Sequence, residues 1–415
     1  MPKISNIAPE EIPQDPIDLS NPNRNPLRED KPLVTTLYPE KNNMNGKGNK
    51  KALKVVTGLF IASLALFVAW LVISKTSGGN IVSPFSKDYS FGSKETRVIG
   101  DLTGESFTEE QAAYFKDQRP FGVMVNNHVD ARPQSGLIYA DLVYEIVAEG
   151  GITRYLAFFL SNTPEKIGPV RSTREYYLVL VKELSDAMIM HIGYSPQALI
   201  AIDTWPVRSL FRGGCESMPG CAWRDNPRNV AYEHTAYVDG TKLRELGTKL
   251  GWEGKADIRS YKFKDTANKY AQMPSAATKI SIDFWNRGDY SSIFTYNSQN
   301  NTYLKHTGYD ASDQPIPLVD QETGAQVEVK NLIVQFATED SVAGDEKGRL
   351  DYQLVGSGKA LVFIDGKVID ATWSKASRDE RTIFYDTSGN EVEFNRGKFW
   401  IAIVPDRNVD QVVYN

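Results

Sequence analysis

Most of the chain mixes apolar and polar residues at short intervals, but one stretch near the N-terminus is apolar throughout. Val55 to Ile73 carries no charge over about 19 residues, and a helix of that length spans roughly 28 Å at about 1.5 Å per residue. Lysines are denser before this stretch than after it, which by the positive-inside rule puts the N-terminus in the cytoplasm. We therefore predict a transmembrane helix over 53–75 that acts as an uncleaved signal anchor.

Two other forms of targeting compete with this interpretation. A cleaved signal peptide would have its basic region within a few residues of the start methionine, whereas about 50 residues intervene here. A lipid anchor would need a cysteine near the apolar stretch, and the sequence has none there. The signal anchor is the interpretation that we favour.

The segments on either side of the apolar stretch are polar. Residues 1–52 are rich in proline and poor in large apolar residues, which predicts a disordered cytoplasmic tail, with a docking peptide as the alternative. Residues 76–106 are rich in glycine and serine, which predicts a flexible linker. The folded mass should then begin near residue 107, outside the cytoplasmic membrane.

The periodicity of the exported part changes along the chain. Over 107–270, strand-like runs such as DLVYEIVAEG alternate with helical runs near 174–184 and 241–250. Over 278–410, alternating strands are separated by turn signals such as Asp365-Gly366. The predicted fold class is therefore α+β, with a single transmembrane helix, then an α+β domain and a mostly antiparallel β domain.

Composition narrows the range of functions. The chain has 415 residues and a net charge of −5, which gives no basic field typical of nucleic-acid binding. No P-loop and no strand-coupled Gly-x-Gly-x-x-Gly motif occurs in the sequence. We therefore predict neither a nucleic-acid partner nor a cofactor.

Two cysteines bracket a short loop in the exported part. Cys215 and Cys221 enclose the sequence ESMPG, whose proline and glycine can bend the chain. Thiols outside the cytoplasm are normally oxidised. We predict a local disulfide, with a metal site as the less favoured alternative.

The densest polar cluster is the sequence IGPVRSTREYY. Ser172 and Glu175 have the spacing of a capping box, which predicts a helix that begins at Ser172. Arg171 and Arg174 would flank the N-terminus of that helix, where anions are favoured. Their partner could be a ligand carboxylate or phosphate, or an internal carboxylate such as Glu145 or Glu149.

The strand that precedes this cluster carries carboxylates at alternate positions. Asp141, Glu145 and Glu149 share one face if the strand is regular, as in the wall of a polar cleft. Four strand residues separate two Cα atoms by about 13 Å, which is longer than the spacing of a glycosidase pair. This distance argues against a glycosidase that uses two of these carboxylates as a pair. A single carboxylate, Glu145 or Glu149, that acts as a general base remains an alternative hypothesis.

The four histidines lie at 128, 191, 234 and 306, and no two of them have metal-ligand spacing. We therefore predict no metal site. His191 ends an apolar run just before a turn, a position where side chains often line sites. A structural histidine with satisfied hydrogen bonds is the competing interpretation.

With these residues in view, the segments PFGVMVNNHVDARPQSGLIYADLVYEIVAEGGITRYLAFF and IGPVRSTREYYLVLVKELSDAMIMHIGYSP resemble the YerB-like lipoprotein family, built from domain of unknown function 3048. The resemblance continues more weakly through NLIVQF, GSGKALVFIDGK and GKFWIAIVP. It implies a two-domain, membrane-attached, extracytoplasmic protein without an established activity. The positions that fit the family's motifs are Asn126, Arg132-Pro133, Ser135-Gly136, Asp141, Glu145, Glu149-Gly150, Thr153-Arg154, Gly168-Pro169, Arg171-Ser172, Arg174 and His191-Gly193.

We expect the exported part to be a binding or scaffold module of the cell envelope for an anionic or zwitterionic ligand, such as a wall peptide or glycan. The alternatives are a hydrolase or transferase that acts on envelope polymers, and a structural subunit of an envelope complex. The predicted ligand-binding residues are Asn126, Asp141, Glu145, Glu149, Arg154, Arg171, Ser172, Arg174 and His191.

Overall fold

The computed structural model describes residues 96–265, 269–270, 273 and 276–415. These residues form mostly strands and few helices, so the predicted α+β class is wrong. The physical reason is that long apolar runs in the first half extend as buried strands, and only short segments between them close into helices. The predicted tail, the apolar stretch Val55–Ile73 and most of the linker lie outside the described residues. Among the described residues no helix has the length and apolar character needed to cross a bilayer.

Four short α-helices and five 3₁₀ turns occur among the described residues. The α-helices are α1 (Glu109–Ala112), α2 (Glu175–Lys182), α3 (Pro196–Thr204) and α4 (Gly240–Lys249). The 3₁₀ turns are Val129–Ala131, Leu137–Tyr139, Cys215–Ser217, Tyr232–His234 and Asp406–Gln411.

Strands account for most of the remaining regular structure. In the first half of the described chain they are β1 (Arg97–Ile99), β2 (Ser106–Thr108), β3 (Phe121–Asn126), β4 (Leu142–Glu149), β5 (Ile152–Phe159), β6 (Met188–Met190), β7 (Ala222–Arg224), β8 (Ala236–Val238) and β9 (Lys262–Phe263). In the second half they are β10 (Lys279–Ile282), β11 (Ser292–Asn297), β12 (Thr302–Tyr309), β13 (Pro315–Pro317), β14 (Glu328–Val329), β15 (Asn331–Ala337), β16 (Glu339–Ser341), β17 (Leu350–Tyr352), β18 (Gly356–Ile364), β19 (Lys367–Lys375), β20 (Ile383–Asp386), β21 (Glu393–Phe394), β22 (Phe399–Pro405) and β23 (Val412–Tyr414).

A nine-stranded mixed sheet organises the molecule, in the order β20-β19-β18-β15-β22-β4-β5-β3-β6. Strand β22 lies at its centre and runs parallel to both β15 and β4. The sheet therefore combines strands from both sides of the predicted boundary near 270–278, while the division into two domains stays a prediction. A second sheet, β13-β12-β11-β10-β23 with β14 beside β12, is antiparallel throughout.

The central strand explains why this sheet holds together. All seven residues of β22, FWIAIVP, are buried, as expected for a strand covered on both faces and paired on both edges. Its neighbours β15 and β4 are buried along nearly their whole lengths. A continuous apolar sequence thus forms a parallel strand in the core.

The structure tests two local predictions, the start of a helix and a disulfide. Helix α2 begins at Glu175 with Arg174 at the N-cap and has no side-chain cap, so the predicted start at Ser172 is wrong. The hydroxyl of Ser172 donates instead to the carbonyl of Ile192 at 3.0 Å. Cys215 and Cys221 form a disulfide with their Cα atoms 5.4 Å apart.

The importance of β22 can be tested by truncating one buried side chain. Ile401 is 0% exposed, and we expect Ile401→Ala to lower the free energy of unfolding by about 2–5 kcal/mol, because it removes buried methyl groups and leaves a cavity. The matched control is Ile200→Ala on α3, since Ile200 is 63% exposed and should change stability by only roughly 0.5 kcal/mol. Urea denaturation followed by circular dichroism measures both variants. Equal losses would contradict the central role of β22.

Candidate functional site

Five of the nine predicted ligand-binding residues line one open cavity of about 420 Å³, at the end of β4 and the start of β5. These five are Glu149, Arg154, Arg171, Ser172 and Arg174. Tyr194, Lys347 and Arg349 complete the wall. The lining thus contains five cationic side chains and one carboxylate, and we call this space the basic cavity.

A bulge in β4 brings Glu149 into this wall. The β4–β5 register shifts between Val147 and Glu149, and the turn that follows contains Gly150 and Gly151 at positive φ. A bulge inserts an extra residue and re-aims the side chains that follow it. Glu149 therefore does not share one face of a regular strand with Asp141 and Glu145, as the alternation of residues predicted.

Backbone hydrogen bonds fix the segment that carries the arginines. The N–H of Arg171 donates to the carbonyl of Met124 on β3, and the carbonyl of Arg171 accepts from the N–H of Ile192. Gly193 has a φ of +85°, and a Cβ built there would lie 2.7 Å from the Ser172 hydroxyl. This close approach places Ser172 directly against the 192–193 turn.

Glu149 is shared by two of the arginines. Arg154 donates to Glu149 through Nη2 at 2.8 Å, and Arg174 donates to the other carboxylate oxygen through Nε. Burial opposes ionisation of Glu149, but the hydrogen bond from Arg174 and the charges of both guanidiniums outweigh it and lower the pKa of Glu149. The internal ion pair that we weighed for Arg174 is therefore present, with Glu149 as its carboxylate.

Arg171 has a different environment. Across residues 96–265, 269–270, 273 and 276–415, no hydrogen bond or ion pair involves the Arg171 guanidinium or the Lys347 ammonium. Burial lowers the pKa of Arg171, while the charge of Glu233 opposes this shift; an arginine nevertheless stays charged in proteins. A half-buried cation without a direct partner costs free energy that a bound anion would offset.

The loop between β16 and β17 contributes the remaining cations. Asp345 holds this loop in shape by accepting from the backbone N–H groups of Lys347 and Arg349. Its carboxylate also pairs with the Arg349 guanidinium at 2.5 Å. Arg349 is thus neutralised within the loop, whereas Lys347 brings to the cavity a charge that has no partner among the residues that the structure describes.

A second cavity of about 240 Å³ shares Arg174 and Arg349 with the basic cavity but has an acidic wall. Glu175, Asp340 and Asp351 line it. Burial and the nearby charge of Asp351 raise the pKa of Glu175. The two adjoining cavities therefore carry opposite charge.

Two predicted carboxylates lie elsewhere, inside the protein. Asp141 accepts from the backbone N–H groups of Leu160 and Ser161, and burial raises its pKa. Glu145 is fully buried and accepts from Trp400 Nε1 at 2.9 Å and from hydroxyls on β5 and β11. Both carboxylates tie strands together and neither lines the basic cavity.

These positions bear on the hydrolase hypothesis, which needs an accessible general base. Glu145 is enclosed, and Glu149 is held ionised by two arginines. A carboxylate with a lowered pKa is a weaker base than an ordinary one. Neither of the two proposed residues has the environment of a general base.

His191 is buried directly after β6. Its Nδ1–H donates to the carbonyl of Gly193 at 2.9 Å, so that Nε2 accepts from the Ser209 hydroxyl at 2.8 Å. Burial lowers the pKa of His191 to about 4. Both ring nitrogens are satisfied internally, as in the competing interpretation of this residue.

Asn126 lies at the end of β3 and connects two histidines that are distant in sequence. Its Nδ2 donates to His234 Nδ1 at 2.8 Å, and its Oδ1 accepts from the backbone N–H of His128 at 3.0 Å. The two imidazole rings stack with centroids 4.4 Å apart, and Asp130 lies beside them. This arrangement is one that could hold a metal ion.

Sequence reasoning missed Lys347, Arg349 and Tyr194, and also the pair His128 and His234. Lys347 and Arg349 lie in a polar hairpin loop with the sequence DEKGR, and this composition is typical of an ordinary turn. The two histidines are 106 positions apart. Only a strand pairing of the correct register could have brought these groups together.

The buried state of His191 gives a pH dependence with a definite sign. Its folded pKa lies below the usual value of 6.5, so the unfolded chain binds more protons between about pH 4 and 6.5, and folding stability falls as pH falls through that window. We expect a contribution of at most about 1.4 kcal/mol per pH unit. Urea denaturation from pH 4.5 to 7.5 measures it, and His191→Gln should flatten this part of the curve. An unchanged slope in the variant would exclude His191 as its source.

Comparisons with known proteins agree with this architecture. The chain matches the N-terminal domain of the DUF3048 family, "protein of unknown function", over residues 102–253, and the C-terminal domain over residues 280–401. It is 33% identical over 311 residues to a protein of Bacillus subtilis (strain 168) described as "Putative lipoprotein YerB", which covers 75% of this chain and 87% of the relative. The crystal structure of YerB protein from Bacillus subtilis superposes with a TM-score of 0.63 at 28% identity, over 77% of this chain and 99% of that one. The chain therefore belongs to the YerB-like DUF3048 family.

Proposed function

We propose that this protein is a binding module of the cell envelope whose basic cavity holds an anionic group of its ligand. The observation that carries the proposal is the half-buried Arg171, whose guanidinium faces a cavity and has no direct protein partner among the described residues. The ligand group would be a carboxylate or a phosphate, since a guanidinium donates to both with matched geometry.

The charges of the wall favour an anion over a neutral group. Glu149 and Asp345 each accept hydrogen bonds from arginines, which leaves Arg171 and Lys347 to meet the ligand. Arg174, the N-cap residue of α2, lies in the wall of this cavity, and the N-terminus of a helix favours negative charge. Together these groups provide donors to an anion from several directions.

The adjoining acidic cavity extends the proposal to zwitterionic ligands. Glu175, Asp340 and Asp351 line a space that shares its wall with the basic cavity. An ammonium group in the acidic cavity and a carboxylate in the basic one would both be neutralised. Peptide fragments of the cell wall have this combination of groups, and glycan fragments with acidic substituents have the anionic part.

The location in the envelope is part of the same proposal. A relative at 33% identity is described as a lipoprotein, and the chain contains a disulfide between Cys215 and Cys221, a bond that persists outside the cytoplasm. Both observations support a membrane-associated, extracytoplasmic protein. A wall peptide, a wall glycan or an envelope protein is then within its reach.

Removing the unpaired guanidinium tests the proposal. We expect Arg171→Ala in the full chain to weaken binding of inorganic phosphate and of purified wall muropeptides by at least about tenfold, because a hydrogen bond to a charged group contributes about 1.5–3 kcal/mol. Lys347→Ala should weaken binding too, and its exposed side chain carries little risk to folding. Isothermal titration calorimetry gives the affinities.

Arg287→Ala is the matched control for the loss of one positive charge. Arg287 is half exposed and pairs with Asp313, and it does not line the basic cavity. Its variant should bind as the wild type does. The proposal fails if the wild type binds neither probe, or if Arg171→Ala and Lys347→Ala both keep wild-type affinity.

A further inference from the structure

We infer that His128, Asp130 and His234 form a binding site for a divalent transition-metal ion of the zinc class. The three side chains come from the segment after β3 and from the 3₁₀ turn Tyr232–His234. Their ligand atoms all lie within 4.8 Å of one another. None of these three residues lines the basic cavity. The inference therefore does not depend on the proposed anion binding.

The spacing of the first two ligands matches a metal centre. His128 Nδ1 and Asp130 Oδ2 are 3.5 Å apart, and tetrahedral bonds of about 2.1 Å separate two ligand atoms by about 3.4 Å. Nδ1 also accepts the backbone N–H of Asp130 at 3.2 Å, a long contact that the metal would replace. The side chain of Asp130 is 51% exposed and that of His128 is 28% exposed, so both have room to rotate toward the third ligand.

The third ligand is held from behind. His234 is buried, and its Nδ1 accepts from the amide of Asn126, which leaves Nε2 as the nitrogen that can face a metal. Ligating histidines commonly have their second nitrogen hydrogen-bonded in this way, which fixes the orientation of the ring. Metal binding through Nε2 requires the ring proton on Nδ1. The Asn126 amide can accept a hydrogen bond from that proton if it turns, at the cost of the hydrogen bond that its Oδ1 accepts from the backbone N–H of His128.

The surrounding charges suit a divalent cation. Asp130 and Glu233 are the carboxylates whose charges act on the two histidines, and Arg171 is the cation that opposes them. Glu233 is exposed next to His234 but is not one of the three clustered ligands, so water would complete the coordination of the ion. Two imidazoles with carboxylate oxygens are a donor set that zinc and its neighbours in the first transition row accept, and one that calcium and magnesium do not favour.

The test titrates metal into the full chain, prepared without a polyhistidine tag and stripped with a chelator. We expect the wild type to bind one equivalent of Zn²⁺ by calorimetry, and Co²⁺ to give the visible absorption of a low-coordinate site. His128→Gln, His234→Gln and Asp130→Asn should each weaken Zn²⁺ binding by at least about tenfold, since each removes one ligand.

His306→Gln is the matched control, because it removes a histidine on β12 that does not belong to the cluster. Its Zn²⁺ affinity should equal that of the wild type. If His234→Gln fails to fold, Asp130→Asn carries the test, because this side chain is exposed. The inference is overturned if the wild type takes up no Zn²⁺, or if Asp130→Asn and His128→Gln bind it as tightly as the wild type and the control.

Discussion

The site depends on the way in which one carboxylate, Glu149, satisfies two arginines. Arg154 and Arg174 each donate to a different oxygen of this carboxylate. Neither oxygen of Glu149 therefore pairs with Arg171. A guanidinium that is half removed from water and has no direct counterion is costly unless another anion is supplied. The proposed ligand is the group that would supply that anion.

This arrangement depends on strand pairings of the large sheet. The bulge before Glu149 turns its carboxylate toward the arginines, and the pairing of Asn126 with Arg154 across β3 and β5 fixes the start of β5. The loop between β16 and β17, which is distant in sequence, contributes Lys347 to the wall of the basic cavity. Because β22 joins strands from both halves of the chain, loss of its packing would disturb all three contributions.

Local patterns in the sequence were enough to find long strands such as β4 and the disulfide between Cys215 and Cys221. They were not enough to choose between α+β and a mostly β fold, because short apolar runs such as MIM in β6 fit either a strand or a helix segment. The capping box at Ser172 misled for a related reason: its hydroxyl bonds the carbonyl of Ile192, a contact that no local pattern specifies.

Long-range pairing also decided which predicted residues meet. Regular alternation places Glu145 and Glu149 on one face, but the bulge separates them, and Trp400 from β22 donates a hydrogen bond to the buried Glu145. Nothing in the spacing of His128 and His234 connects them, yet the side chain of Asn126 forms a hydrogen bond with each of these two residues. Polar residues at the ends of buried strands were the signal that pointed to the basic cavity.

The most direct test of the central claim is a crystal structure of the full chain soaked with selenate, an anion whose position is visible by anomalous scattering. We expect a selenium peak in the basic cavity, with a selenate oxygen within hydrogen-bond distance of the Arg171 guanidinium. A guanidinium bonded to a carboxylate of the protein itself, with no anomalous peak in the cavity, would contradict this claim.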